Sequence, residues 1–125
     1  MVDLSLSDQT RICNVITDQL KALSRLDGDA AWSVLTPQKQ RQGSGAEFLR
    51  SLALAFPQLV QAAKMQFGSV RPHDVGFAQH VRVYAHDQTH VDAVYLLRRQ
   101  EDGSFLIEGC ILRPHAQQEE NSLMS

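Results

Sequence analysis

The feature that most constrains this chain is a change of hydrophobic period near Lys64. Before it, apolar residues recur every three or four positions. After it, they alternate. A helix returns a side chain to the same face about every 3.6 residues and a strand every second residue, so the change marks a helical half followed by a strand half. With 125 residues in all, this order reads as a single α+β domain over residues 1–113, with helices laid on one face of an antiparallel sheet. Residues 114–125 are polar and aperiodic and are expected to be a flexible tail.

In the helical half, Ile12, Val15, Ile16, Leu20, Leu23 and Leu26 form one stripe, predicting a first helix from about Asp8 to Leu26. Ser7 is the expected N-cap, and Gly28 the expected C-terminal turn residue. A short second helix is predicted over Asp29–Leu35. It ends at Thr36-Pro37, because proline disfavours helical geometry in the residue before it. The polar stretch from Gln38 to Gly45 reads as a loop. Ser44 and Glu47 match the S-x-x-E capping box at the start of a third helix carrying Phe48, Leu49, Leu52, Ala53 and Phe56. A further turn, Gln58 to Ala63, follows the interruption at Pro57.

In the strand half, a short first strand around Met65 and Phe67 is followed by strands over Val75–Ala85, His90–Gln100 and Ser104–Leu112. Glu101-Asp102-Gly103 supplies the last hairpin turn, since glycine accepts the positive φ it requires. Register fixes which side chains share a face. Pairing Gln100 with Ser104 and His86 with His90 sets Tyr95 opposite Gly109. It also gathers Val81, Val83, Ala85, Val91, Ala93, Tyr95, Leu97, Phe105, Ile107 and Ile111 on one apolar face, which belongs under the helices. The other face carries His80, Arg82, Tyr84, His86, His90, Asp92, Val94, Leu96, Arg98, Leu106, Glu108, Cys110 and Leu112. Charges lie at its margins and apolar residues in its middle. A second copy of the sheet would bury that middle, so a homodimer is expected through Tyr84, Val94, Leu96, Cys110 and Leu112.

Three stretches, VITDQLKALSRLDGDAAWSVLTP, GAEFLRSLALAFPQLVQAAKMQFGSVRP and YLLRRQEDGSFLIEGCIL, cover most of residues 12–112 and resemble the DUF4864 family within the NTF2-like (cystatin-like) superfamily. The Tyr95…Gly103…Ile107…Gly109 spacing is the best marker, and Phe105 stands where the family pattern leads one to expect tryptophan. The resemblance implies a cone of three N-terminal helices on a curved antiparallel sheet of about four strands. It implies no single activity, because the superfamily includes ketosteroid isomerases, dehydratases, polyketide cyclases and pure binding or assembly modules.

Composition narrows the function. Twelve Lys+Arg against fourteen Asp+Glu give a net charge of −2, so no broad positive field collects nucleic acid or anionic lipid. The opening MVDLSLSDQ has neither a basic nor an apolar leader segment, and no apolar run approaches the ~20 residues of a membrane span. Two cysteines make no disulfide framework. A reduced, cytoplasmic protein without membrane or nucleic-acid partners is the expectation.

The candidate chemistry is sparse. His86, His90 and Asp92 fall short of the three or four convergent ligands zinc requires, so no metal and no cofactor are expected. Cys13 and Cys110 lack a neighbouring cation and read as small buried hydrophobes. Trp32 is either core or the lip of a pocket. Tyr95 is either a core ring or the polar group that orients a ligand. The reading adopted is a non-catalytic homodimeric module that binds a small apolar ligand or a protein partner, with Trp32, Phe56, Val81, Tyr95 and Ile107 lining the pocket. The alternative is an isomerase, dehydratase or cyclase of ketosteroid-isomerase type. It would need Asp92 or His80 inside the cone with Tyr95, to move a proton at a substrate carbon.

Overall fold

The computed structural model describes residues 4–74 and 76–114. Val75 and the proposed tail beyond residue 114 lie outside the described residues. Among the described residues the element order is α1 (Leu6–Ser24), α2 (Gly28–Ser33), α3 (Pro37–Gln40), α4 (Gly45–Ala55), α5 (Pro57–Val60), β1 (Ala62–His73), β2 (Gly76–Ala85), β3 (His90–Arg99) and β4 (Phe105–Pro114). The strands form one antiparallel sheet in the order β1-β2-β3-β4. The architecture is α+β, as the change of period requires.

Helix α1 begins earlier than expected. Ser5, not Ser7, is the N-cap, and its hydroxyl accepts from the Asp8 amide at 3.0 Å. At the other end Leu26 leaves the apolar stripe. It adopts φ 59° and is 67% exposed. The Asp27 amide reaches back to Ala22 O and the Leu26 amide to Leu23 O, the two hydrogen bonds of a Schellman ending. Gly28 therefore does not terminate α1. It lets the backbones of α2 and α4 touch: a Cβ on Gly28 would lie 2.4 Å from the Gly45 carbonyl oxygen.

Residues 37–40 are a helical turn rather than loop, because Pro37 at the first position fixes the φ a helix needs. Ser44 caps α4 as the sequence signature indicates, accepting from the Glu47 amide at 3.2 Å. Strand β1 runs the full length of β2, from Ala62 opposite Ala85 to His73 opposite Gly76. It is interrupted by a bulge between Phe67 and Val70. Gln79 stitches that bulge together by donating to the carbonyls of Gly68 and His80, each at 2.9 Å.

The two later hairpins close with the same device. Asp102 Oδ1 accepts from the Ser104 amide and Asp87 Oδ1 from the Thr89 amide, while Gly103 (φ 87°) and Gln88 (φ 72°) take the left-handed position between them. Each loop thus spans three residues. The β2–β3 loop is His86-Asp87-Gln88, which places Tyr84, not His86, opposite His90. The slip is an even number of residues, so the faces survive. Val81, Val83, Ala85, Val91, Ala93, Tyr95, Leu97, Phe105 and Ile107 are all buried, and apart from Ala85 they join the core cluster formed with Ile12, Ile16, Leu20 and Leu23 of α1.

Beyond Ile107 the parity fails. Leu97 faces Ile107, but Leu96 faces Gly109, so one extra residue, Glu108, is accommodated in β4. A bulge of this kind exchanges the two faces downstream of itself. Ile111, expected under the helices, is 55% exposed. Cys110 and Leu112, expected on the outer face, border the helix-side cavity instead. The edge of β4 is also occupied: the Ile107 amide donates to Val34 O and the Ile107 carbonyl accepts from the Thr36 amide, both at 2.9 Å, in a short parallel bridge. Covering an edge in this way satisfies backbone groups that would otherwise solicit another strand.

Candidate functional site

The bulge in β4 opens a cavity of about 340 Å³ between the helices and the last strand. Its walls are Gln19 of α1, Trp32 of α2, Leu35, Phe48 and Leu52 of α4, and the β4 residues from Ile107 to Cys110 with Leu112; Lys39 and Gln42 stand at its α3 side. The volume sits at the small end of the ~300–1,000 Å³ common for ligand sites. Trp32 and Phe48 pack tilted, with ring centroids 5.3 Å apart. The indole Nε1 donates to the Gln40 carbonyl at 3.2 Å, which fixes the ring against the α3 turn.

Sequence reasoning placed Trp32, Phe56, Val81, Tyr95 and Ile107 around one pocket. Trp32 and Ile107 line it. Phe56 caps the end of α4 and packs on the core, and Val81 is buried in the middle of the sheet; neither borders the cavity. Tyr95, expected there too, does not border the cavity: it is 1% exposed and lies directly opposite Cys110 across the β3–β4 pair. Burial raises its phenol far above the ordinary range, and the facing Cys110 thiol adds to the rise. Cys110 is not the buried hydrophobe expected: it is reachable from the cavity, yet desolvation by the surrounding protein pushes its thiol up to about 12, against a smaller opposing effect of the Tyr95 hydroxyl. A thiol in that state is a neutral wall atom rather than a nucleophile. Cys13, half-buried on α1, is likewise raised by desolvation.

The residues considered for proton transfer are not brought together. Asp92 and His80 lie on the outer face. The Asp92 carboxylate is held by the Arg82 guanidinium, with Nε at 2.7 Å and Nη2 at 3.3 Å. Asp92 and His80 border a shallow groove of about 240 Å³ beside the β1 bulge, away from the helices. Glu108, missed as a cavity residue because the bulge was not foreseen, does reach the rim. Both its oxygens are engaged, Oε2 by the Thr36 hydroxyl at 3.1 Å and Oε1 by Arg98 Nε at 3.0 Å. Gln19 was also missed; its place at i+3 from Ile16 on the buried face of α1 was the available signal. Among the described residues, no three His, Cys, Asp or Glu side chains converge to hold a metal ion. No helix among them is long and apolar enough to cross a membrane.

Of the expected outer-face residues, Tyr84, Val94, Leu96 and Leu106 are there, half-buried; Cys110 and Leu112 border the cavity instead. The ion pairs Arg82–Asp92 and Arg98–Glu108 flank this apolar strip.

Fold and cavity together define a helix-covered antiparallel sheet with a small, predominantly apolar pocket at the bulged edge. A family model matches residues 5–120, and the chain belongs to that family, DUF4864, a domain of unknown function. It is similar in structure to Aln2 from a Streptomyces species, with a TM-score of 0.59 at 12% identity over 94% of this chain and 97% of the other. At that identity the likeness speaks for the fold alone. No curated protein matches the chain.

Proposed function

We propose that the chain is a non-catalytic, NTF2-like binding module that takes a small, largely apolar ligand into the cavity between Trp32, Phe48, Leu52 and Ile107, and that it works as a homodimer through the outer face of the sheet. The observation that carries the ligand reading is the cavity itself: apolar walls, a fixed aromatic lip, and acidic groups that are either neutral (Cys110) or already paired (Glu108). The isomerase reading is disfavoured by the outward position of Asp92 and its clasp by Arg82. The dimer is supported by Val94, Leu96 and Leu106 in the middle of the outer face, with exposed Ile111 taking the place expected for Cys110 and Leu112. Paired charges at the margins of the strip suit a two-fold contact, in which each patch meets its own copy.

Thermal shift against a panel of neutral and acidic aromatic compounds tests the ligand reading, because a ligand selective for the folded state raises the melting temperature by mass action. Leu52→Ala should leave the fold intact and weaken the shift. A panel without any shift refutes the reading. Sedimentation equilibrium tests the dimer: a monomer at micromolar concentration refutes it, and a dimer dissociated by Leu96→Lys supports it.

A further inference from the structure

The wall of the cavity carries a hydrogen-bonding signature that restricts the ligand's chemistry, provided the ligand-binding reading above holds. Gln19 is only 3% exposed, yet it borders the cavity. Its carboxamide nitrogen is committed to the Ala31 carbonyl at 3.1 Å, which fixes the orientation of the amide. Its carboxamide oxygen receives no donor among the described residues. That oxygen borders space open to solvent, so a ligand that displaces water from it must supply a donor or leave it unanswered. Cys110 borders the same cavity and is the cross-strand partner of Tyr95. With the thiol protonated, its own S–H is a weak donor. The wall therefore presents a strong acceptor at Gln19 and a weak donor at Cys110, with Lys39 bordering the cavity from the α3 side.

We infer that the cavity selects a small aromatic compound bearing a neutral hydroxyl group, whose O–H donates to Gln19 Oε1. A hydroxyl suits both wall groups, since it donates one hydrogen and accepts another. A carboxylate does not suit Gln19: ionised, it only accepts, and it would set one acceptor against another. An aromatic body matches the lip of Trp32 and Phe48, where stacked and edge contacts add to burial.

Trp32 is the single tryptophan of the chain, so its fluorescence reports occupancy of this cavity directly. Titrations with 4-ethylphenol, 4-ethylanisole and ethylbenzene form the test. The anisole is the more apolar molecule and can accept but not donate, so apolar burial alone predicts that it binds at least as tightly as the phenol. The hydroxyl reading predicts the reverse, with the phenol about fivefold tighter, the yield of one good hydrogen bond. In Gln19→Met, which keeps the volume and removes the acceptor, the preference should vanish. Should that variant fail to fold, the comparison of the three ligands on the native chain still decides. Equal or inverted preference overturns the hydroxyl reading and leaves the apolar cavity standing. Failure of all three to perturb Trp32 at millimolar concentration overturns both.

Discussion

Tyr95 and Cys110 face one another directly across β3 and β4, phenol against thiol, because the bulge at Glu108 advances β4 by one residue. Without it Tyr95 would oppose Gly109, and the thiol would point away from the helices. One inserted residue thus decides that the Cys110 thiol borders the cavity and that Glu108 reaches its rim, where Thr36 and Arg98 hold it.

The state of Cys110 can be read by alkylation. In a Cys13→Ser background, the rate with iodoacetamide should climb about tenfold per pH unit between about pH 7 and 10 without levelling, because only the thiolate reacts. Levelling near the ordinary value of 9.0 would contradict a thiol raised to about 12. Tyr95→Phe removes a hydroxyl that favours the thiolate, and should slow the reaction further.

Asp8 ties the start of α1 to the sheet, with Oδ2 held by Arg99 Nη2 and Oδ1 by Arg11 Nη1. The hydrogen bond from Arg99 is the largest of the effects that lower its carboxyl below the ordinary 3.8. A depressed folded-state value contributes stability that is present above the unfolded value and is lost as pH falls through the folded one. The melting temperature of the native chain should therefore exceed that of Asp8→Asn at about pH 7, and the gap should close as the pH drops below about 4. A gap that persists unchanged in acid would show that the ion pair is not its source.

Contact between α2 and α4 rests on two glycines. Gly28→Ala drives a methyl group into backbone, at 2.4 Å from the Gly45 oxygen, and should cost about 2–3 kcal/mol in chemical denaturation, the upper part of the range for overpacking. Gly103→Ala meets nothing within 4 Å but keeps the φ of 87°. It should cost only about 1 kcal/mol. Equal losses would mean that α2 can shift away from α4.

Leu26→Gly should stabilise the protein. Leu26 is exposed and holds φ 59° at the end of α1, a conformation that costs a side-chain-bearing residue about 1 kcal/mol relative to glycine. Part of that gain is returned through the larger entropy of the unfolded chain. A rise of several tenths of a kcal/mol in urea unfolding is expected, and a fall would mean that the leucine side chain makes a contact worth more than the strain.

Much was legible in the amino-acid order. Periodicity separates helices from strands, Ser44 and Glu47 mark the start of α4, and Glu101-Asp102-Gly103 marks the last turn, because each is enforced by bonds between residues a few positions apart. The inward face from Val81 to Ile107 was equally legible: the pairing of β2 with β3 slipped by an even number, which leaves side-chain parity intact. What only the tertiary structure decided lies beyond Ile107. The segment Val34–Thr36 bonds to Ile107 from about seventy positions away, and Thr36 holds the carboxylate of Glu108 at the bulge. No local pattern announces an extra residue in a strand when the bonds that accommodate it come from a distant part of the chain. That one residue turns Cys110 and Leu112 inward, sends Ile111 outward, and leaves the cavity that Gln19 and Trp32 share.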